Sequence, residues 1–371
     1  MKRINNLYPQ ICSIENLQLA DSIARKGKAK QQGVIKHLQN QDANIKLLHE
    51  QLINKTYRTC DYKTFTITDP KVRVIYSLPY YPHRIVHHAV MNVLEPVFMS
   101  TFTADTYSCI KGKGVHAAAN ALIYALKDVP GTTYCLKLDI RKFYPSIDHT
   151  ILKRLIRRKF KDQDLLEMLD GIIDSADGLP IGNYLSQYLA NFYLAYFDHW
   201  IKEYKRVKYY FRYADDLVIV AGSKEYLHDL FREIQHYLAT ELNLKVKGNY
   251  QVFPVDARSI DFLGYCFYHT HVLLRKFIKV NFARAVASGI SQASWAAYQG
   301  WLRHCDGRNL VKKLTNERLH RLSNSGRRAA IRGKPHQNAK NPGQKNNRPG
   351  IQDWPKLSKA RHAQFNIADP V

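Results

Sequence analysis

Phe211-Arg212-Tyr213-Ala214-Asp215-Asp216-Leu217-Val218-Ile219-Val220 is the stretch on which the reading turns. Two adjacent carboxylates stand between two apolar runs of β character. Acids are costly there, because like charges raise each other's pKa and apolar flanks exclude water. A divalent cation removes the penalty. Mg²⁺ is hard, prefers oxygen ligands, and bridges carboxylates to substrate phosphates. An isolated Asp-Asp pair would read as an ordinary hairpin turn.

The pair has company. In Leu136-Lys137-Leu138-Asp139-Ile140-Arg141-Lys142-Phe143-Tyr144-Pro145-Ser146-Ile147-Asp148, a second strand-like run ends on an aspartate. If the two strands are neighbours, Asp139 meets Asp215 across the sheet. Such a set suits two Mg²⁺ ions about 3.5–4 Å apart, the arrangement that clamps attacking and leaving oxygens in phosphoryl transfer.

Outward from these strands, residues 1–60 have a helical apolar spacing around Ile45, Leu48 and Leu52. Residues 64–78 alternate and suggest strands about a turn at Asp69-Pro70. Helices are predicted at 84–98, 115–127, 149–159, 163–173, 185–204 and 224–240, with a strand at 134–139. The hairpin about Ala214-Asp215-Asp216, short strands near 244–253 and 261–274, and a helical region at 278–320 follow. The fold class is α+β with a mixed or antiparallel sheet, without regular βαβ winding. From about residue 323 the chain is rich in Gly, Pro, Asn and basic residues and reads as a flexible basic tail, with Trp354 and Phe365 as anchors beyond it.

Composition narrows the function. Against 31 Asp plus Glu stand 56 Lys plus Arg, a formal charge of +25, and there are 24 Tyr. Cations suit phosphates and flat rings suit bases, so the balance favours a nucleic-acid partner. No apolar run reaches the roughly 18–20 residues needed to cross a bilayer. The start, MKRINNLYPQ, lacks the apolar core of a signal peptide. The six cysteines, Cys12, Cys60, Cys109, Cys135, Cys266 and Cys305, are scattered and read as reduced thiols, which implies a cytoplasmic protein. His83, His87 and His88 share one helix but have no Cys or acid nearby, and read as packed or solvated side chains. Lys111-Gly112-Lys113-Gly114 lacks P-loop spacing and reads as an approach to a nucleic-acid backbone. Phe192, Tyr193, Tyr196, Phe197 and Trp200 have the spacing of a core helix face.

Together these segments resemble a reverse transcriptase. The YADD run resembles the catalytic hairpin and LDIRKFYPSIDH the first palm motif. DGLPIGNYLSQYLANFYL resembles the nucleotide-pocket helix. LNLKVK and IDFLGY resemble the last two palm motifs, and PKVRVIYSLP and CIKGKGVH the fingers motifs. The resemblance covers roughly residues 65–310, with the segments in family order. It implies a right-hand polymerase fold: a helical extension 1–63, fingers 64–133, palm 134–275 with fingers insertions, a helical thumb 276–322 and the tail 323–371.

By position, Asp139, Asp215 and Asp216 match the metal-binding aspartates, with help from the Ile140 carbonyl. The amides of Lys142 and Phe143 would face the triphosphate. Tyr144 matches the aromatic gate that favours deoxynucleotides. Lys71 and Arg73 match fingers residues that hold the triphosphate, and Arg141 is either added charge or a surface arginine. Lys245 or Lys247 would be the general acid for pyrophosphate, each alternatively a phosphate contact. Phe262, Leu263, Gly264 and Tyr265 match the primer grip. The resemblance implies an RNA template, a cDNA/RNA heteroduplex, dNTPs and two Mg²⁺ ions, with Mn²⁺ as a substitute.

One departure points to a branch. Where retroviral and intron enzymes carry Gln-Gly-x-x-x-Ser-Pro, this chain has Ile181-Gly182-Asn183-Tyr184-Leu185-Ser186-Gln187. That resembles diversity-generating retroelement enzymes, known for error-prone copying of template adenines. It implies a bacterial or phage source, a small basic accessory protein and a structured noncoding RNA. Antiphage defence enzymes share the feature, so that reading stays open. An RNA-dependent RNA polymerase is disfavoured by Tyr144, and a non-catalytic RNA-binding module by the intact acids.

Overall fold

The computed structural model describes residues 3–68 and 72–316. The expectations for Lys71 and for the tail 323–371 fall outside them. Among the described residues, contacts divide the chain into two compact units that meet in sequence between Thr270 and His271.

The first unit opens with four helices: α1 (Tyr8–Cys12), α2 (Ile14–Ala24), α3 (Gln32–Leu38) and α4 (Gln41–Ile53). A two-stranded antiparallel hairpin follows, β1 (Lys63–Ile67) with β2 (Arg73–Ser77). Then come α5 (Ile85–Met99), α6 (Val115–Ala125), β3 (Tyr134–Asp139), α7 (His149–Lys159), α8 (Gln163–Ile173) and α9 (Tyr184–His199). β4 (Tyr209–Tyr213), β5 (Asp216–Ala221), α10 (Lys224–Leu242) and β6 (Gln251–Pro254) complete the central layer. A small hairpin, β7 (Ile260–Phe262) with β8 (Tyr265–Phe267), closes the unit.

The ends of α7, α8 and α10 follow from capping. Asp148, Asp162 and Ser223 each accept a backbone N–H of the first turn, from Ile151, Leu165 and Tyr226. α9 is buried on nearly all sides, as a helix apolar all round must be. It ends at His199 instead of running on to 204. Residues Trp200–Tyr204 form one wider π-helical turn, in which Lys205 N donates to Trp200 O at 2.9 Å. Phe192, Tyr193 and Phe197 are fully buried in the main core.

The central sheet has the order β4-β5-β3-β6 and every pairing is antiparallel. Leu136 faces Ile219 and Leu138 faces Leu217, and all four join the main apolar cluster. Side chains alternate along a strand, so Cys135, Lys137 and Asp139 lie on the opposite face with Val220, Val218 and Asp216. Cys135, Val218 and Val220 are buried too, which is why LVIVA reads as a continuous apolar run. The acids thus emerge at the end of a doubly covered sheet.

In the second unit, β9 (Val272–Leu274) is followed by α11 (Lys276–Ala287) and α12 (Gln292–Leu302), and residues 308–316 are helical. The helical region expected at 278–320 is therefore broken at 288–291 and 303–307. Phe282 packs on Trp295 and Tyr298, with ring centroids 5.8 and 4.7 Å apart.

Candidate nucleotidyl-transfer site

The hairpin between β4 and β5 turns through only two residues, Ala214 and Asp215. Ala214 has φ +54, a conformation that costs an L-residue roughly 1–2 kcal/mol and ordinarily takes glycine in such a turn. Because the turn is this short, Asp216 is already in the ladder and pairs in register with Asp139. Asp139 meets Asp215 as expected, since its charge raises the Asp215 carboxyl, but its partner in the ladder is Asp216. Asp215 sits in the turn, where its carbonyl accepts from Ile140 N at 3.2 Å.

The three acids share one electrostatic neighbourhood. Burial, then the charges of Asp139 and Asp216, push the Asp215 carboxyl up to about 6. Asp139 Oδ1 is buried with no hydrogen-bond partner. Its other oxygen, Oδ2, is ion-paired with Lys247 Nζ. Hard oxygen donors, one of them orphaned, and mutual repulsion are what a divalent cation would relieve. Among the described residues no three His, Cys, Asp or Glu side chains already converge as a closed cage. Mg²⁺ sites commonly take one or two carboxylates and complete the shell with water and substrate phosphates.

Residues just after β3 continue its antiparallel pairing with the segment before β6. Ile140 bridges Val246, through Arg141 N to Lys245 O at 2.8 Å and Lys247 N to Asp139 O at 2.8 Å. Neither bond uses the Ile140 carbonyl. This register separates the two lysines. Lys247 enters the acid cluster, whereas Lys245 is exposed and contributes its carbonyl to Arg141. Lys142 has φ +47 and Phe143 φ −45, and this change of hand makes consecutive amides converge into a concave nest of the kind that binds anions. The Phe143 side chain is 3% exposed and belongs to the core, so only its backbone is available to a ligand. Arg141 is exposed.

Tyr144 packs against the core edge. Its phenol is pushed far above its ordinary range by burial, then by Cys109 and Asp215, with Arg212 and Arg73 opposing. Its carbonyl accepts from Leu179 N at 2.9 Å. Gly178, φ +60, packs so closely that a Cβ there would lie 2.5 Å from that carbonyl. The loop 174–183 between α8 and α9 also adds to the β1–β2 hairpin: Tyr76 N donates to Ile181 O at 2.8 Å. A Cβ on Gly182 would lie 2.6 Å from Tyr76 O and 3.1 Å from Ile75 Cγ2. Ile75 shares its hairpin face with Arg73, so that face looks toward the loop. Tyr62 reinforces the join: its hydroxyl is 2.8 Å from Ser175 Oγ and accepts from Asn183 Nδ2 at 3.0 Å. Gln187 is half-buried on the first turn of α9.

Several expected contacts narrow. In the β7–β8 hairpin Phe262 and Tyr265 are opposite partners, 1% and 0% exposed, so their side chains cannot touch a primer. In the turn, Leu263 and Gly264 have φ +52 and +87; Leu263 is half-buried and Gly264 is buried, so Leu263 is what that segment presents. Lys113 is not free for a phosphate. Its ammonium donates to the carbonyls of Ala104, Thr106 and Thr103 at 2.8, 3.1 and 3.3 Å. His83 bonds Tyr57 Oη through Nδ1 at 2.9 Å, His87 is buried, and His88 stacks on Tyr184 at 4.6 Å. They are packed side chains.

The sequence reading missed a buried network behind the turn. Arg212 and Asp198 are both 0% exposed. Arg212 Nε lies 2.8 and 3.0 Å from the two Asp198 oxygens, and its Nη1 donates to Ala214 O at 3.2 Å. An arginine inside the buried run YYFRY, and an aspartate inside an aromatic helix, were the available signals.

The comparisons with known proteins bear on this geometry. Protein YkfC of Escherichia coli (strain K12) is 23% identical over 291 residues, covering 66% of this chain and 74% of YkfC. The group II intron-encoded protein LtrA of Lactococcus lactis subsp. cremoris is 23% identical over 140 residues, covering 35% of this chain and 23% of LtrA. The nuclear intron maturase 4, mitochondrial, of Arabidopsis thaliana is 28% identical over 152 residues, of which the chain spans 18% of its length. A solved telomerase of Candida tropicalis, in complex with a TWJ fragment of telomeric RNA, superposes with a TM-score of 0.45 at 12% identity, covering 77% of this chain and 58% of that one. The family model described as reverse transcriptase (RNA-dependent DNA polymerase) matches residues 63–267, from the start of β1 through the end of β8. More than half of the chain lies inside that match, and with it every acid of the cluster: the chain belongs to the reverse transcriptase family, whose members are nucleotidyltransferases with the right-hand polymerase fold.

Proposed function

We propose that the chain copies an RNA template into cDNA by two-metal nucleotidyl transfer at Asp139, Asp215 and Asp216. The observation that carries this reading is the acid cluster itself: an orphaned Asp139 oxygen beside an Asp215 carboxyl held up to about 6 by burial and its neighbours. Bound Mg²⁺, or Mn²⁺ in its place, would lower the pKa of the primer 3′-hydroxyl and offset charge on the leaving pyrophosphate. Asp139, Asp215 and Asp216 would hold the ions, with the Ile140 carbonyl beside them.

The chain's own residues do the rest. Arg73, on the hairpin face toward the loop 174–183, and the amides at Lys142 and Phe143 hold the triphosphate. The Tyr144 ring fills the space of a ribose 2′-hydroxyl. Lys247, already inside the cluster, protonates the departing pyrophosphate in preference to exposed Lys245. The basic surface binds template and heteroduplex through phosphates, so affinity falls steeply with salt.

The biological reading we propose is a diversity-generating retroelement enzyme. It rests on Ile181 at the pocket, whose carbonyl is fixed to Tyr76 while its aliphatic side chain offers no hydrogen bond to a nascent pair. That setting relaxes geometric selection. A structured RNA and a small basic accessory protein would then supply template choice.

The test is extension of a DNA primer on a defined RNA template with dNTPs and Mg²⁺. Wild type should extend it, and Asp215→Ala with Asp216→Ala should lower the rate about 10³-fold or more. Ribonucleotide incorporation by the wild type equal to its dNTP incorporation, or extension by the double variant, would refute the assignment. Sequencing the cDNA that co-purifies from the native host then decides the biology. Errors at template adenines favour diversification, and faithful cDNA from one noncoding RNA favours defence.

A further inference from the structure

The Arg212–Asp198 pair ties the turn before Asp215 into a fully buried hydrogen-bond network. Asp198 on α9 is fully buried and receives four donors: Arg212 Nε and Nη2, Tyr210 Oη at 2.6 Å and Thr106 Oγ1 at 3.0 Å. Arg212 uses its remaining arm on two acceptors, Asn191 Oδ1 at 3.1 Å and Ala214 O at 3.2 Å. Its backbone is fixed as well: Arg212 N donates to Asp105 O at 3.0 Å, and Tyr107 N to Arg212 O at 3.1 Å. Three chain segments that are distant in sequence, 105–107, α9 and β4, therefore meet on one guanidinium. That guanidinium grips the carbonyl of the residue immediately before Asp215, the one with positive φ.

We infer that Arg212 is a positioning residue for nucleotidyl transfer: held by Asp198, it fixes the Ala214 carbonyl and so sets where the Asp215 carboxylate points. The inference rests on the polymerase reading above. The Asp198 pairing offsets the charge, and the buried Nη1 group still needs acceptors of its own; one of the two it takes is the carbonyl of the turn. The bond to Ala214 adds nothing to that pairing and acts on the turn. A planar fork reaches the carboxylate and the carbonyl at once, whereas a lysine ammonium, a point donor, cannot do both in this geometry. A turn free to shift by even 1 Å costs up to about 10²-fold in rate.

The experiment compares the full-length chain with Arg212→Lys in three measurements. These are the melting temperature, Mn²⁺ binding by electron paramagnetic resonance without nucleotide, and kcat and KM for dNTP on an RNA template. Arg212→Lys should lower kcat about tenfold or more, leave KM for dNTP within about twofold, and weaken Mn²⁺ binding several-fold. Wild-type kcat with a lowered melting temperature, or a raised KM with unchanged kcat, overturns the inference. If Arg212→Lys does not fold, Thr106→Val decides, since it deletes one donor to Asp198 and keeps the ion pair. A fall in kcat of about two- to fivefold at constant KM supports positioning, and unchanged kcat refutes it. Should the wild type itself extend no primer, the polymerase reading fails. Weaker Mn²⁺ binding by the variant would then still show that Arg212 sets the acids.

Discussion

Two sets of charge lie on either side of one two-residue turn, and they are treated in opposite ways. Behind the turn, Asp198 and Arg212 are completely buried, and every donor and acceptor between them is matched by Tyr210, Thr106, Asn191 or the Ala214 carbonyl. In front of it, Asp139 keeps a buried oxygen without a partner, and Asp215 sits where burial and two like charges oppose its ionisation. A protein able to satisfy Asp198 so fully has paired one Asp139 oxygen with Lys247 and left the other without a hydrogen-bond partner. The difference shows which charges the fold completes by itself and which it leaves for a ligand of opposite sign.

The sharpest way to break the comparison is to remove an acid from each side. Asp198→Ala leaves a guanidinium buried without its partner and should cost about 3–5 kcal/mol in urea unfolding. It should also lower the melting temperature by several degrees. Asp215→Ala, measured in chelator, should cost nothing or raise stability, because it removes repulsion and breaks no ion pair. Equal losses from the two variants would mean the front acids are also satisfied by the protein.

A second experiment sharpens the contrast with pH. The Asp215 carboxyl has a folded-state pKa of about 6, above its ordinary 3.8. Its protonated form is therefore favoured in the fold, so its contribution is most favourable below about pH 4. That contribution is lost as pH rises through about 6. Asp215→Asn carries no such charge. In chelator its advantage over wild type should be small at pH 4, grow through pH 6, and level off on the order of 3 kcal/mol at pH 7 and above. An advantage that is already full at pH 4 would assign it to packing and not to charge.

The acids were legible in the sequence because their cost is local: carboxylates between β-branched runs demand an explanation on the line of text. The strand pairing was legible as well, but not its register. The turn's use of only two residues moves Asp216 into the ladder opposite Asp139, and no residue type announces that. Lys245 and Lys247 lie on the same side of an extended segment, so only the Ile140–Val246 bridge separates them. Phe262 and Tyr265 read as contact residues only through the resemblance of IDFLGY to the primer grip. In a two-residue hairpin they are facing partners, and both turn inward. The Arg212–Asp198 pair joins α9 to β4 and depends on how a helix rotates over a strand, which pattern alone does not set.

The smallest expected effect concerns how the front of the site is held in place. Gly178 has φ +60, and a Cβ there would lie 2.5 Å from Tyr144 O and 2.7 Å from Pro145 Cα. Both are backbone atoms, so no rotamer change relieves the contact. Around it, Leu179 N donates to Tyr144 O at 2.9 Å, and His149 Nε2 is 2.8 Å from Gly178 O. Gly178→Ala should therefore cost about 1–2 kcal/mol for the left-handed backbone, with the clash in addition. It must displace the turn that carries Tyr144. Discrimination against ribonucleotides should fall several-fold, read as the ratio of kcat/KM for a dNTP and its ribonucleotide. Gly27→Ala is the matched control: its φ is +71, yet a Cβ there meets nothing within 4 Å. It should show the backbone cost alone and leave the ratio untouched. If the two variants lose equal stability and both keep the wild-type ratio, the contact between Gly178 and the Tyr144 turn does not set the gate. Tyr144 would then be placed by its own packing, in the manner of the self-satisfied charges behind the turn.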